Sequence, residues 1–131
     1  MLSITPIYIA IAVIMYTGLS FFVISGRGKY KVSIGDGNEP KFARTMRAHG
    51  NFAEYAPLAL LAMAAAELAG APGGVIHAAG ASLLVGGAAH GDCFLFTESG
   101  MKLRVGGMML TFFAMWIAAA AGIWGALINT V

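Results

Sequence analysis

Charge is scarce in this chain. Lys, Arg, Asp and Glu make up 11% of its 131 residues, against roughly 25% in an average soluble domain. Hydrophobic residues reach 59% and the mean hydropathy is +0.79. That leaves too little polar surface to solvate a globular exterior, and the composition points to one polytopic membrane domain. Cysteine is nearly absent too. Cys93 stands alone, which excludes an internal disulfide and a paired-cysteine redox or zinc site, so no metal is expected. The sequence sets no cation beside Cys93, and it reads as inert. Basic residues number eight and fall in two patches, from Arg27 to Arg47 and from Lys102 to Arg104. So few cations on so apolar a chain argue against a nucleic-acid partner.

Between the patches run long uncharged segments. Ile4–Ser25 carries no charge and would span about 33 Å as a helix, matching the ~30 Å hydrocarbon core. No basic stretch precedes it and no small-residue cleavage site closes it, so it reads as a retained membrane helix. Residues 26–45 read as a polar loop, with turn chemistry at Gly35-Asp36-Gly37-Asn38. A second helix is expected over about 45–69, a third over 74–93 and a fourth over 102–129. Only 12 uncharged residues separate Glu54 from Glu67, so the second helix is expected inside a bundle, kinked at Pro57, with its polar turns lining a cavity. Glu67 reads as interfacial. His77 is expected to bond between helices, His49 and Trp124 to sit at an interface, and Trp116 to pack. Gly87 and Gly91 form a GxxxG surface for close helix packing, within a protomer or between copies. The fold class is all-α, a four-helix membrane bundle. The charge map puts loops 1–2 and 3–4 on the cytoplasmic side and both termini on the other.

The chemistry concentrates at the start of the second helix. On a helix, Asn51 lies about 40° from Arg47 and Glu54 about 20° to the other side. Gly50 leaves that face open. A charged stripe entering a bilayer is costly unless it faces protein, water or a ligand. Arg27, His90 and Arg104 are expected at the same depth. Arginine suits a carboxylate, Glu54 an ammonium and Asn51 an amide, the groups of a zwitterionic peptide such as glutathione. A thiol needs a nearby cation to ionise at neutral pH, and Arg104 is the candidate. The alternative for the stripe is purely structural, an Arg47–Glu54 pair that fixes the bundle.

Three pieces of sequence resemble the MAPEG family, the membrane-associated proteins of eicosanoid and glutathione metabolism. They are Ile24-Ser25-Gly26-Arg27, the R-x-x-x-N-x-x-E-x-x-P pattern from Arg47 to Pro57, and Leu103-Arg104-Val105-Gly106-Gly107-Met108-Met109-Leu110-Thr111. His90 also matches. The resemblance implies a homotrimer with glutathione as co-substrate, bound between subunits near the cytoplasmic face. It implies that Arg47, Asn51, Glu54 and Tyr55 contact glutathione, that Arg27 and His90 lie at the site, and that Arg104 stabilises the thiolate. The chain departs from the family at Gly28 and Gly50, where some members carry arginine, and at Phe94, near the place of a tyrosine.

The function implied is a glutathione-dependent transferase or peroxidase acting on a lipophilic small molecule, in a lipid bilayer such as a bacterial inner membrane. The alternative is a non-catalytic protein of the same fold binding a lipid or another anion. A four-helix multidrug exporter fits in length, but such exporters rely on a carboxylate in the first helix, and Ile4–Ser25 has none.

Overall fold

The computed structural model describes residues 1–97 and 100–129, without the side chain of Cys93. The reading of Cys93 as inert lies outside that part. The described residues form four α-helices, α1 (Thr5–Tyr30), α2 (Pro40–Leu68), α3 (Gly73–Leu95) and α4 (Met101–Asn129).

Two helix ends differ from expectation. α1 passes Ser25 and continues to Tyr30. Gly26 and Gly28 look like breakers in sequence, but Gly26 backs onto the Phe42 ring of α2, where an added Cβ would collide. This contact holds the last turns of α1 against glycine's poor propensity. The helix stops at Lys31, which takes a left-handed conformation (φ 54°), and the Val32 amide donates to the Arg27 carbonyl at 3.1 Å. α2 begins at Pro40 rather than near Thr45. Proline is well placed in a first turn because its missing N–H has no helical partner there. Lys41 and Arg44, which read as loop, are therefore helical. With 29 residues, α2 is about 43 Å long, so its first turns, bearing Lys41, Arg44 and Arg47, reach past a ~30 Å apolar core.

The packing is that of a membrane bundle. The buried stripe of α2 is mostly small: Phe52, Ala56, Ala59, Met63 and Ala66. Large apolar side chains point outward instead, as with Ile7, Ile14 and Phe21 on α1 and Trp124 and Leu127 on α4. Lipid tails are as apolar as leucine, so helices associate through close backbone approach rather than by hiding large side chains. α3 and α4 cross most tightly at Gly86 and Gly107, where a Cβ on either would lie 2.7 Å from the other's carbonyl oxygen. Gly87 packs on Phe52 of the same protomer. Trp116, expected to pack, is 63% exposed and stacks on Phe112.

α1 leans on α2 and more lightly on α3, and does not touch α4. Its only buried residues are Thr5 and Ala12. Both α1 and α4 are long and apolar enough to cross a membrane by length and composition. Glu67, in the last turn of α2, accepts the backbone amides of Ser3, Ile4 and Thr5. It thus caps the start of α1, whose own N-cap position supplies no side-chain bond. His77 bonds the Tyr8 hydroxyl at 3.0 Å, linking α3 to α1. His49 is partly buried between α2 and α1. It stacks on Tyr16 with ring centroids 4.7 Å apart and lies 3.2 Å from the Ser20 hydroxyl, joining α2 to α1. All eight basic residues gather at one end of the bundle, where α1 and α3 finish and α2 and α4 start.

Candidate functional site

The basic end holds the predicted polar residues in two layers. The outer layer is on α2. Arg47 and Glu54, two turns apart, face each other at 3.8 Å with side chains 58% and 54% exposed. An ion pair that open contributes little to stability, so both groups stay available to a ligand. Beside them Gly50 leaves room, since an added Cβ would meet only Glu54 Oε1 at 3.9 Å.

Asn51 belongs to the layer beneath. It is 8% exposed, and its amide nitrogen donates to Met108 Sδ at 3.4 Å. The expected three-residue stripe is thus divided. The roughly 60° between Asn51 and Glu54 on the helical wheel is enough to turn one inward and the other out. Sulfur is a weak acceptor, so this contact surrenders the amide easily to a better one.

The second cluster joins α3 to α4. His90 is 5% exposed and its Nδ1 lies 3.1 Å from the Arg104 carbonyl. A carbonyl only accepts, so Nδ1 carries the proton and Nε2 remains an acceptor when the ring is neutral. Phe94 lies between the two, 5.0 Å from the His90 ring and 5.1 Å from the Arg104 guanidinium carbon. The Arg104 residue is exposed.

One helix face ties the clusters together. Arg104, Met108 and Phe112 recur every four residues on α4. They meet Phe94, Asn51 and Tyr55 respectively, the last as an edge-on ring pair with centroids 5.7 Å apart. Phe112 was not singled out from sequence, and Met108 entered only as part of the segment around Arg104, although the four-residue spacing from Arg104 marks both as its face.

Arg27 stands apart. It lies in the last turn of α1, not in a loop. Its Nη1 donates to the Ser33 carbonyl at 2.8 Å, and the guanidinium sits 5.7 Å from the Phe42 ring centroid. Since α1 and α4 do not touch, one protomer does not bring Arg27 to Arg104.

The motif order and this geometry agree with a comparison of the whole chain against known families, in which residues 5–124 match the MAPEG family. The chain belongs to the MAPEG family. Among curated proteins it is 30% identical to the inner membrane protein YecN of Escherichia coli strain K12 over 121 residues, covering 92% of this chain and 91% of that protein. The match to YecN of Escherichia coli O6:H1 has the same identity and coverage. The chain is therefore a membrane protein of the MAPEG class, and its exposed apolar helices face lipid or other protein rather than water.

Proposed function

We propose that this MAPEG protein is a glutathione-dependent transferase or peroxidase acting on a lipophilic electrophile or lipid hydroperoxide. The observation that carries the reading is the open Arg47–Glu54 pair beside Gly50, on the same end of the bundle as Arg104. Glutathione is a substrate here. Arg47 suits one of its carboxylates and Glu54 its ammonium group, each as a charge-assisted hydrogen bond. Asn51 exchanges Met108 for a peptide amide. Arg104 supplies a permanent positive charge that favours the thiolate over the thiol, with the proton leaving to water at the basic end. In transfer, the sulfur lone pair forms the carbon–sulfur bond while the leaving group departs with its electrons. With a hydroperoxide, the O–O bond is reduced to an alcohol and water, and two glutathione molecules are oxidised to the disulfide.

The site is completed in a homotrimer with the basic end cytoplasmic. The separation of Arg27 from Arg104 within one chain and the bare outer face of α1 support an assembly in which a neighbour brings its own α1. Titration of glutathione into the purified protein is expected to raise the ultraviolet absorbance of the thiolate. Arg104→Ala is expected to abolish that signal. Arg47→Ala and Glu54→Gln are each expected to weaken binding about tenfold or more, the value of a hydrogen bond to a charged group. No absorbance change and no thermal shift with glutathione would overturn the reading. A second reading, a non-catalytic protein binding a lipid or another anion, is favoured by Phe94, which puts a ring without a hydroxyl between His90 and Arg104. A glutathione-independent ligand retained in native mass spectrometry would support it.

A further inference from the structure

The glutathione reading rests the thiolate on Arg104, an exposed arginine on a long and flexible stem. A cation that must meet a sulfur atom has to be held in place, because catalysis loses rate steeply when a charged group is free to wander. Among the described residues the Arg104 guanidinium makes no hydrogen bond and no ion pair. What it meets is the ring of Phe94, with 5.1 Å between the guanidinium carbon and the ring centroid.

One row of residues on α3 brings the ring there. Gly86, His90 and Phe94 are spaced four apart and lie on one helix face. Gly86 sits at the tight crossing, where an added Cβ would lie 2.7 Å from the Gly107 carbonyl oxygen. One turn on, a Cβ at Gly107 would lie 2.8 Å from the His90 amide nitrogen. No side chain fits between the helices at these points, so their register is fixed. In that register the His90 ring donates from Nδ1 to the Arg104 carbonyl at 3.1 Å. A further turn of α3 sets Phe94 against the Arg104 guanidinium. Arg104 is thus gripped at both ends, at its carbonyl by His90 and at its guanidinium by Phe94. The two gripping rings are themselves packed, with centroids 5.0 Å apart.

The kind of grip matters. A ring attracts a guanidinium through the negative charge of its π face. It has no acceptor atom, so it takes none of the guanidinium's N–H donors. A carboxylate in its place would hold the arginine too, but would consume donors and cancel the charge. We propose that Phe94 is a positioning residue, which holds the Arg104 guanidinium where it stabilises the glutathione thiolate while leaving its charge and donors free. Phe94 acts through Arg104 and does not itself touch the sulfur. The inference rests on the glutathione reading of the site and gives a role to a residue at which the chain departs from its family.

The test compares the full-length wild type with Phe94→Leu, which removes the ring, and Phe94→Tyr, which keeps it. Without ligand, the nitrogen-15 spectrum of the arginine side chains is expected to show the Arg104 Nε–H signal, identified by its loss in Arg104→Lys, displaced by the ring current. The displacement is expected to vanish in Phe94→Leu and persist in Phe94→Tyr. With glutathione bound, thiolate absorbance is followed against pH. The profile of Phe94→Leu is expected to move to higher pH, so that on its rising limb the thiolate fraction falls about two- to fivefold, the value of an exposed cation–ring contact. Phe94→Tyr is expected to keep the wild-type profile. S-methylglutathione, which has no thiol to ionise, is expected to bind all three proteins equally, an outcome that general loosening of the α3–α4 contact does not produce. If the wild type shows the thiolate signal, then an unmoved Arg104 resonance, an unshifted profile in Phe94→Leu, an equal shift in both variants, or loss of S-methylglutathione binding in Phe94→Leu would each overturn the role of Phe94 alone. Absence of the thiolate signal in the wild type would overturn the glutathione reading, and this inference with it.

Discussion

Single residues carry more of this molecule than their exposure suggests. Glu67 receives three backbone amides from the start of α1, so Glu67→Gln is expected to lower the melting temperature and speed amide exchange at Ser3 to Thr5. Unchanged exchange there would show that the cap is dispensable. Gly107 and Gly106 are neighbours in sequence and opposites in structure. A Cβ at Gly107 would lie 2.7 Å from the Gly86 carbonyl oxygen, while one at Gly106 meets nothing within 4 Å. Gly107→Ala is expected to destabilise the fold by about 1–3 kcal/mol through overpacking. Gly106→Ala is expected to be neutral or to stabilise by up to about 1 kcal/mol through helix propensity. Unfolding of both variants in the same detergent checks the contrast, and equal stabilities would refute the tight crossing.

The helices reveal what spacing shows and what it misses. The R-x-x-x-N-x-x-E pattern was legible as one polar stripe, and the structure divides it because the adjoining helix was not. α4 crosses just where Asn51 points, and Met108 takes its amide. His49 lies opposite the stripe, a position that by itself names no partner. That face is covered by α1, where Tyr16 and Ser20 receive it. The α4 face from Arg104 to Phe112 makes a prediction of its own. Met108→Leu removes the sulfur acceptor at nearly constant volume, which is expected to free Asn51 and leave stability within about 1.5 kcal/mol. If Asn51 reads a peptide amide, glutathione affinity in Met108→Leu is expected to hold or rise, whereas Asn51→Ala lowers it. A fall in both would place Asn51 in a structural role.

The trimer proposed above is testable at the scale of the whole molecule. α1 is almost bare, α4 presents Trp116 and Trp124 outward, and Arg27 and Arg104 do not meet within a chain. If three copies close the site, native mass spectrometry is expected to give a trimer. Mixed assemblies of Arg27→Ala and Arg104→Ala chains are then expected to bind glutathione better than either variant alone. No recovery in the mixture would argue for a site within one protomer.

Composition and charge placement alone determined the membrane class, the four helices and the basic end. Hydropathy and helical period are local and additive, so they survive ignorance of the fold. The motif from Arg47 to Pro57 and the residues around Arg104 carried the family for the same reason, being contiguous in sequence. Tertiary structure decided the partners: Met108 for Asn51, the start of α1 for Glu67, Tyr16 for His49, and Phe94 for Arg104. Glu67 and Thr5 are 62 residues apart, and what joins them is the crossing of two helices. That crossing is set by where small residues let backbones approach, a property of pairs of surfaces that a single helical wheel does not contain.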